Sequence, residues 1–232
     1  MNKIGIIGAM ELEVETLKEN MNVTNIVEKA SMKFYEGNLG GTDVVIVRSG
    51  ICKVNAGMCV QILADLFHVT HIINTGVAGS LNSAINIGDI VVSTEALYHD
   101  VDATIWGYQP GEVPQIGRRE FPADGHLVTL VEEIFHKTNP DIQVFPGRIA
   151  SGDQFISDKE AKKRIVAMSG ALCTEMEGAA IAQASTLNSI PFVIIRAISD
   201  KADESAQIEY PEFERKAAKD CAALVMQLIP EI

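Results

Sequence analysis

The chain alternates short runs of apolar, often β-branched residues with longer stretches in which apolar positions recur every three to four residues. Such alternation is typical of strands that helices join around a mainly parallel sheet. The apolar runs predict strands over residues 4–8, 32–39, 43–48, 71–74, 89–93, 144–150, 171–174 and 192–198. Helical spacing predicts helices over residues 54–67, 125–137, 159–168 and 211–228, with further helices after residues 8 and 176.

Some of these elements carry finer expectations. Gly40-Gly41 separates two predicted strands, which favours a β-hairpin. The last helix is expected to begin at Pro211, because proline is tolerated in a first helical turn. The buried stripe of the helix over 54–67 is predicted at positions with helical spacing, namely Met58, Ile62, Leu63 and Leu66.

The stretch over residues 98–122 breaks the alternation. It holds three glycines, three prolines and Trp106, the only tryptophan of the chain. Loops of this length in compact domains usually have a function or form an interface. A tryptophan on such a loop favours a packed interface with a partner.

Composition narrows the class of protein. The 232 residues are 47% hydrophobic and 22% charged, which is enough apolar material for one globular domain over residues 1–232. The net charge of −12 argues against nucleic acid or an anionic membrane as partner. The N-terminal apolar run leads into acidic residues and predicts a buried strand rather than a signal peptide, and no run is long enough to span a membrane. Four cysteines without a CxxC pair are typical of reduced thiols, so a cytoplasmic location is expected.

Acidic residues and glycines follow most of the predicted strands. Ligands bind beyond the carboxyl ends of parallel strands, so these residues are expected to meet at one edge of the sheet. An acidic residue before a helix is also a common capping residue, and that interpretation applies to Glu13 and Glu175. The segment over residues 75–79 is interpreted as a glycine loop that lets backbone approach a ligand. The segments concerned are 11–13, 50–51, 75–79, 151–155, 175–177 and 199–200.

Arg196 interrupts an apolar strand in which a buried position should carry no charge. A buried arginine normally has a carboxylate partner, and Glu177 or Glu175 is the candidate. Glu177 precedes small residues that permit close packing, so its carboxylate is expected to face the interior. The alternative is a structural ion pair without a catalytic role.

Several motifs are absent from the sequence. It has no GxGxxG, GxxxxGK[ST] or GxSxG pattern, and its five histidines lack metal-ligand spacing, so neither a cofactor nor a metal is expected. Carboxylates, one arginine and glycine-lined backbone suit a reaction through a cationic transition state. Glycosidic cleavage is the leading example.

The same residues resemble those of the bacterial 5′-methylthioadenosine/S-adenosylhomocysteine nucleosidases, within the purine nucleoside phosphorylase-like superfamily. The matching segments span essentially the whole chain: residues 4–10 leading to Glu13, 49–51, 72–76, 88–93, 98–100, 151–153, 175–177 and 196–200. The resemblance implies an α/β fold of three layers, α/β/α, with a mixed central sheet, and a homodimer with residues 98–122 at its interface. It also implies hydrolysis of 5′-methylthioadenosine, S-adenosylhomocysteine and 5′-deoxyadenosine to adenine and the free sugar, in methionine salvage and the recycling of S-adenosylmethionine by-products.

The resemblance further implies roles for individual residues. Asp200, held by Ser199, would protonate purine N7, and Glu13 would activate the attacking water. Glu177, with the Met176 backbone and Arg196, would bind the ribose and stabilise its developing charge. The remaining substrate-binding residues would be Ala78, Gly79 and Glu175, Phe155 and Ile156 at the adenine, Ile51 and Phe213 at the 5′-alkylthio group, and Ala103, Tyr108 and Pro114 from across the dimer.

Three alternatives remain open on the sequence. A phosphorylase would use phosphate in place of water, but the first loop is acidic and would repel phosphate. Asn74 also stands at a position where related phosphorylases carry an arginine. A catalytically silent nucleoside sensor would be expected to lack Glu13 or Asp200. The sequence poorly distinguishes a hydrolase of futalosine-type nucleosides from a hydrolase of adenosine thioethers. Val77, Ser80 and Trp106 depart from the family pattern and leave the preferred 5′ substituent undetermined.

Overall fold

The computed structural model describes residues 2–138 and 142–232. The strands are β1 (Lys3–Gly8), β2 (Asn22–Lys29), β3 (Met32–Leu39), β4 (Thr42–Arg48), β5 (His71–Ser80), β6 (Ile90–Tyr98), β7 (Phe121–Pro122), β8 (Val144–Ser151), β9 (Cys173–Glu175) and β10 (Phe192–Asp200). The helices are α1 (Glu11–Asn20), α2 (Lys53–Phe67), α3 (Gly125–Thr138), α4 (Lys159–Ser169), α5 (Gly178–Leu187) and α6 (Ala206–Leu228), and short 3₁₀ helices lie at Thr104–Trp106 and Ile229–Glu231. Within the described ranges, no helix is both long and apolar enough to cross a membrane.

The strands form one mixed sheet, part of which closes on itself. β10 pairs with β5 in parallel and with β6 in antiparallel orientation. β6, β8, β9 and β5 are paired in turn, so that these strands and β10 form a ring. From β5 the sheet continues as an open extension through β1, β4, β3 and β2.

Helices cover both faces of the sheet and make three layers. On one face, α1, α3 and α6 pack through an apolar cluster that includes Leu17, Val131 and Leu224. On the other face, α2 and α5 pack through a second cluster that includes Leu63 and Ile181. The central strands are buried on both sides, which explains why they appear in the sequence as continuous apolar runs. The predicted α/β/α fold with a mixed sheet is confirmed.

The hairpin β3–β4 forms around Gly40-Gly41 as predicted, but the buried stripe of α2 was partly wrong. Leu63 is buried, whereas Met58 and Leu66 are 45% and 50% exposed. The helix instead buries Ala56, Cys59, Val60, Leu63 and Phe67. Both sets have helical spacing, and the buried set packs in one apolar cluster with α5 and the sheet. Spacing alone therefore selected the wrong face.

Three boundaries also differ from the predictions. β2 was not predicted, because it is a largely exposed, polar edge strand that pairs only with β3 among the described strands. The expected glycine loop over 75–79 is the end of β5, where β10 and β9 pair with it. α6 begins at Ala206, so Pro211 lies inside the helix rather than at its start.

Candidate active site

A cavity of about 270 Å³ opens where β1, β5, β9 and β10 end. These carboxyl ends of strands are where ligands bind in open α/β sheets. The wall consists of Ala9, Met10, Glu13, Ile51, Val77, Ala78, Gly79, Gln154, Phe155, Ile156, Thr174, Glu175, Met176, Glu177, Ser199, Asp200 and Tyr210. Four acidic side chains, those of Glu13, Glu175, Glu177 and Asp200, thus line one cavity.

Glu13 lies in the first turn of α1 and is buried. Its Oε2 accepts a hydrogen bond from the Met10 amide at 2.9 Å, which caps the helix, and its Oε1 accepts one from the Val77 amide at 3.1 Å. Burial raises the pKa of the Glu13 carboxyl, although the nearby Arg196 charge and these amides oppose the rise. Glu13 therefore both caps α1 and lies on the cavity wall.

Gly76 makes room for this carboxylate. A Cβ atom at Gly76 would lie 2.5 Å from Glu13 Oε1 and 3.0 Å from Arg196 Nη1. Carbon and oxygen atoms do not approach that closely without displacement. The glycine in β5 is thus required by the packing of two charged side chains rather than by an unusual backbone angle.

Arg196 is buried behind the cavity wall, and its carboxylate partner is Glu175. Its Nη2 donates to Glu175 Oε2 and to Asn74 Oδ1, each at 2.5 Å. Burial alone would lower the pKa of Arg196, but the negative charges of Glu175, Glu177 and Glu13 more than reverse this and raise it. Arg196 is therefore a permanent cation among three carboxyl groups.

Glu175 is saturated with hydrogen bonds. Its Oε1 accepts from the Ser151 hydroxyl, and its Oε2 accepts from the amides of Glu177 at 3.1 Å and Gly178 at 2.8 Å as well as from Arg196. These contacts fix the start of α5. Glu175 thus combines a place on the cavity wall with the capping role considered from the sequence.

Glu177 directly precedes α5 and is buried at the cavity. Its Oε1 accepts a hydrogen bond from the Cys52 amide at 2.9 Å. Burial, followed by the negative charge of Glu175, raises the pKa of Glu177 to about 8, against the opposing influence of Arg196 and the Cys52 amide. The ionisation of this carboxyl is therefore poised near neutral pH.

Asp200 reaches the cavity through an irregularity in β10. The pairing of β10 with β5 shifts register between Ile198 and Asp200, so Ser199 is an extra residue, and such bulges redirect side chains near functional sites. Asp200 accepts hydrogen bonds from the Ser199 hydroxyl at 2.9 Å and from the Ala202 amide at 2.8 Å. Burial raises the pKa of the Asp200 carboxyl despite these donors.

Two aromatic rings form the apolar part of the wall. Phe155 and Tyr210 pack edge to face with ring centroids 5.4 Å apart. The Tyr210 hydroxyl also contacts Met10 Sδ at 3.4 Å. Half of Phe155 is exposed, so one of its surfaces is available to a flat ligand.

Most predicted site residues lie on this wall. They are Glu13, Ile51, Ala78, Gly79, Phe155, Ile156, Glu175, Met176, Glu177, Ser199 and Asp200. Arg196 lies behind the wall rather than on it. Phe213 is absent from the lining, and Tyr210, one helical turn earlier on α6, occupies the wall instead.

The residues assigned to a partner subunit's pocket lie outside the cavity of their own chain. Ala103 is only 3% exposed, so it has little surface to offer a partner, whereas Tyr108 and Pro114 are half-buried. The exposed large apolar side chains of this loop are Ile105 and Trp106, at 87% and 76%. Residues on the wall that the sequence reasoning did not assign to the site are Ala9, Met10, Val77, Gln154, Thr174 and Tyr210. Of these, Val77, Gln154 and Thr174 each adjoin a predicted residue in the chain.

The chemistry available in the cavity is acid–base chemistry around a positive charge. Buried carboxyl groups with raised pKa values can hold and donate a proton near neutral pH, and ionised ones stabilise a cation. Among the wall residues, none is a lysine or arginine. In the described part of the chain, no group of three or more His, Cys, Asp and Glu side chains is arranged to bind a metal ion.

Comparison with known proteins places this fold and site. The sequence model of the Phosphorylase superfamily matches residues 3–230, so the class is that of the phosphorylase-like α/β proteins. The 5′-methylthioadenosine/S-adenosylhomocysteine nucleosidase of Geobacillus sp. is 42% identical over 231 residues, covering 99% of each chain. The chain belongs to the 5′-methylthioadenosine/S-adenosylhomocysteine nucleosidase family of this superfamily.

Solved structures agree with this placement. The nucleosidase of that name from Neisseria meningitidis, in complex with methylthio-immucillin-A, matches with a TM-score of 0.96 at 38% identity and covers 100% of both chains. A futalosine hydrolase from Helicobacter pylori matches with a TM-score of 0.94 at 30% identity, covering 100% of this chain and 98% of that one. The fold is thus shared by proteins named for different nucleosides.

Proposed function

We propose that this chain hydrolyses the N-ribosidic bond of 5′-methylthioadenosine and S-adenosylhomocysteine, and also of 5′-deoxyadenosine, releasing adenine. One observation carries the proposal: Glu13 and Asp200 line the same cavity and are anchored to residues of one strand. Glu13 is hydrogen-bonded to Val77, and Asp200 pairs with Gly79. Two residues along a strand span about 7 Å, so the two backbone positions that anchor these carboxyl groups are close together.

Each of the cavity's carboxyl groups suits a particular step of this hydrolysis. Cleavage of the bond between C1′ and N9 leaves positive charge on the ribose, and a proton from Asp200 to purine N7 makes adenine a better leaving group. Glu177 and Glu13 would face the sugar, and in their ionised forms they stabilise the positive charge that develops on it. Glu13 takes a proton from the water molecule while the oxygen of that water bonds to C1′. Burial raises the pKa of Glu13, which brings this pKa nearer the pH at which a general base works best.

Two features favour water over phosphate as the second reactant. Among the described residues that line the cavity, none is a lysine or arginine, and a phosphate would lie beside the carboxylate of Glu13. Arg196, the buried cation, is already engaged by Glu175 and Asn74. A phosphorylase reaction is therefore disfavoured.

The futalosine-type alternative rests on the Helicobacter pylori neighbour and has no distinguishing feature in the cavity. The greater identity to the nucleosidase of Geobacillus sp. supports the adenosine thioethers as substrates. The Phe155–Tyr210 pair also gives the cavity an apolar surface suited to adenine and to an alkylthio group. Such a reaction removes by-products of S-adenosylmethionine and begins methionine salvage.

The test is release of adenine in phosphate-free buffer from four nucleosides: 5′-methylthioadenosine, S-adenosylhomocysteine, 5′-deoxyadenosine and futalosine. Turnover of the two thioethers without phosphate is expected, with kcat/KM above that for futalosine. A strict requirement for phosphate, or a preference for futalosine, would contradict the proposal. The variant Glu13→Gln checks that any activity belongs to this cavity.

We further propose that the chain forms a homodimer through a face that continues from the cavity mouth. Its exposed apolar residues lie on the loop before α2, on α2 and on the 98–122 loop: Ile51, Val54, Met58, Ile105 and Trp106. Exposed apolar patches of this kind mark interaction surfaces. Because Ile51 also lines the cavity, a partner seated here would lie next to the substrate.

A cytoplasmic location is also proposed. The cysteines Cys52, Cys59, Cys173 and Cys221 are all free thiols. Reduced cysteines are the usual state in the cytoplasm. The proposed substrates are small molecules, and neither nucleic acid nor membrane is proposed as a partner.

A further inference from the structure

Two carboxylates from other parts of the fold accept hydrogen bonds from amides at the N-terminus of α2. The amide of Cys52, its N-cap residue, donates to Glu177 Oε1 at 2.9 Å, and the amide of Lys53 donates to Asp153 Oδ1 at 2.9 Å. The helix has no acidic residue in its first turn, and its N-cap side chain makes no capping hydrogen bond. Glu177 and Asp153 therefore satisfy two of its free amides and oppose the positive end of its dipole.

Asp153 is tied to α2 a second time. The ammonium group of Lys53 lies 2.5 Å from Asp100 Oδ2 and 3.7 Å from Asp153 Oδ2. Asp100 Oδ2 also accepts a hydrogen bond from the Asp153 amide at 2.9 Å. Lys53, Asp100 and Asp153 thus form a closed set of contacts that joins α2 to the segment carrying Asp153.

The turn that these contacts hold is strained. Cys52 has φ 81° and ψ 163°, a region that glycine adopts readily and other residues avoid. Such a conformation persists only where the surroundings impose it. The restraint comes from Glu177 on one side of the peptide and from Asp153 on the next residue.

We propose that Asp153 is a positioning residue for the reaction, which holds the first turn of α2 so that the Cys52 amide stays on Glu177. The inference rests on the proposed function, because it requires Glu177 to act on the sugar. Asp153 itself does not line the cavity and acts only through the helix. Its side chain is 42% exposed, so it can be replaced without opening the core.

Other charges act on Glu177 and must stay constant in a test. Glu175 on β9, Arg196 on β10 and Glu13 on α1 face it, together with the amide of Cys52. The three charged groups lie outside the contact set of Asp153, whereas the Cys52 thiol hydrogen-bonds to the Asp153 side chain. A pair of variants at Asp153 can therefore separate the hydrogen bond from the charge.

The matched variants are Asp153→Ala and Asp153→Asn. Asparagine keeps an oxygen that can accept from the Lys53 amide, whereas alanine does not. In Asp153→Ala we expect the Cys52 amide to exchange its hydrogen about tenfold faster, by NMR, and kcat/KM for 5′-methylthioadenosine to fall about tenfold to a hundredfold. As pH increases, kcat/KM should rise at a higher pH in Asp153→Ala than in Asp153→Asn. Loss of the hydrogen bond from the Cys52 amide favours the protonated form of Glu177.

Three outcomes would overturn the proposal. The first is an unchanged rate of amide hydrogen exchange at Cys52 in Asp153→Ala. The second is an equal fall of kcat/KM in the two variants. The third is a weakening of inhibition by adenine that is as large as the fall of kcat/KM. The last would place the effect on the neighbouring Phe155 instead of Glu177. The exchange measurement needs no turnover, so it still tests the positioning if the proposed substrates prove wrong for the unaltered chain.

Discussion

The guanidinium of Arg196 donates to the carboxylate of Glu175 in the protein interior, where the two side chains are 2% and 3% exposed. Breaking a buried pair by removing one partner leaves an uncompensated charge and costs about 3–5 kcal/mol. Arg196→Met is therefore expected to lower the free energy of unfolding by about that amount, measured by urea denaturation.

A matched substitution tests whether burial is the cause. Arg215 pairs with Glu15 at 3.4 Å, and the arginine side chain is 67% exposed. Exposed pairs contribute about 0–1 kcal/mol. Arg215→Met should therefore change stability little, and equal losses in the two variants would refute the importance given to the buried pair.

Gly76→Ala should damage the site more than the fold. The added methyl group would lie 2.5 Å from Glu13 Oε1, so the carboxylate must move. Misplacement by about 1 Å can cost a hundredfold in rate, while overpacking costs about 1–3 kcal/mol. Steady-state kinetics and thermal unfolding would measure both effects.

Gly125→Ala is the control for that substitution, because nothing lies within 4 Å of a Cβ atom at this exposed position. It should leave kcat/KM unchanged. If Gly76→Ala behaves in the same way, Glu13 has more freedom than its hydrogen bonds indicate.

Asp200→Asn should fold normally and lose most activity. Asparagine can accept from the Ala202 amide and lie beside the Ser199 hydroxyl, but it cannot donate the proton that adenine departure requires. Removing a positioned acid costs about 10²–10⁴-fold in rate. Adenine release at saturating substrate would report the loss, and activity within threefold of the unaltered chain would remove Asp200 from the mechanism.

The pH dependence of stability should carry the mark of Glu177. Burial raises its pKa to about 8, so the folded chain binds this proton more tightly than the unfolded chain does. The resulting stabilisation is complete below the unfolded pKa of about 4.3 and is lost as pH rises through about 8. Between pH 6.5 and 8, the free energy of unfolding should therefore decrease.

Glu177→Gln isolates this contribution. The variant cannot ionise at that position, so its free energy of unfolding should fall less steeply over the same interval, as measured by urea denaturation at each pH. The lowered pKa values of His71 and His99 act mainly below this interval, since both lie under the usual 6.5. Parallel curves for the two proteins would show that Glu177 keeps an ordinary pKa.

Trp106 offers a direct readout of the proposed dimer. As the only tryptophan, 76% exposed in one chain, it should emit at shorter wavelength once a partner covers it. Dilution should shift the emission to longer wavelength in step with the mass from sedimentation. Val54→Glu, at a 71% exposed position on α2, should favour the monomer. Sedimentation of the unaltered chain as a monomer at high concentration would refute the dimer.

Hydrophobic pattern was sufficient for the layers of the fold, because buried parallel strands form continuous apolar runs. It failed where two patterns were equally periodic, as on α2, where Met58 is exposed and Cys59 is buried. It also failed at β2, whose polar residues suit an edge strand and carry no apolar signal. These differences depend on neighbours that are distant in sequence.

The site was predictable in its charged residues because each stands out locally. Arg196 in an apolar strand required a carboxylate, and Glu175 was one of the two candidates. Its choice over Glu177 depends on the three-dimensional arrangement in which Ser151 and two amides hold Glu175. Tyr210, which also lies on the wall, was outside the predicted helix because α6 begins at Ala206 rather than at Pro211.

The long strand β5 ties both ends of the cavity to a single backbone. Glu13 is bonded to Val77, and Asp200 pairs with Gly79, two residues further along. Mutations in the surrounding helices that translate β5 as a unit would carry both carboxyl groups together and keep their spacing. A bend between Val77 and Gly79, by contrast, would separate the two groups even in an otherwise intact protein.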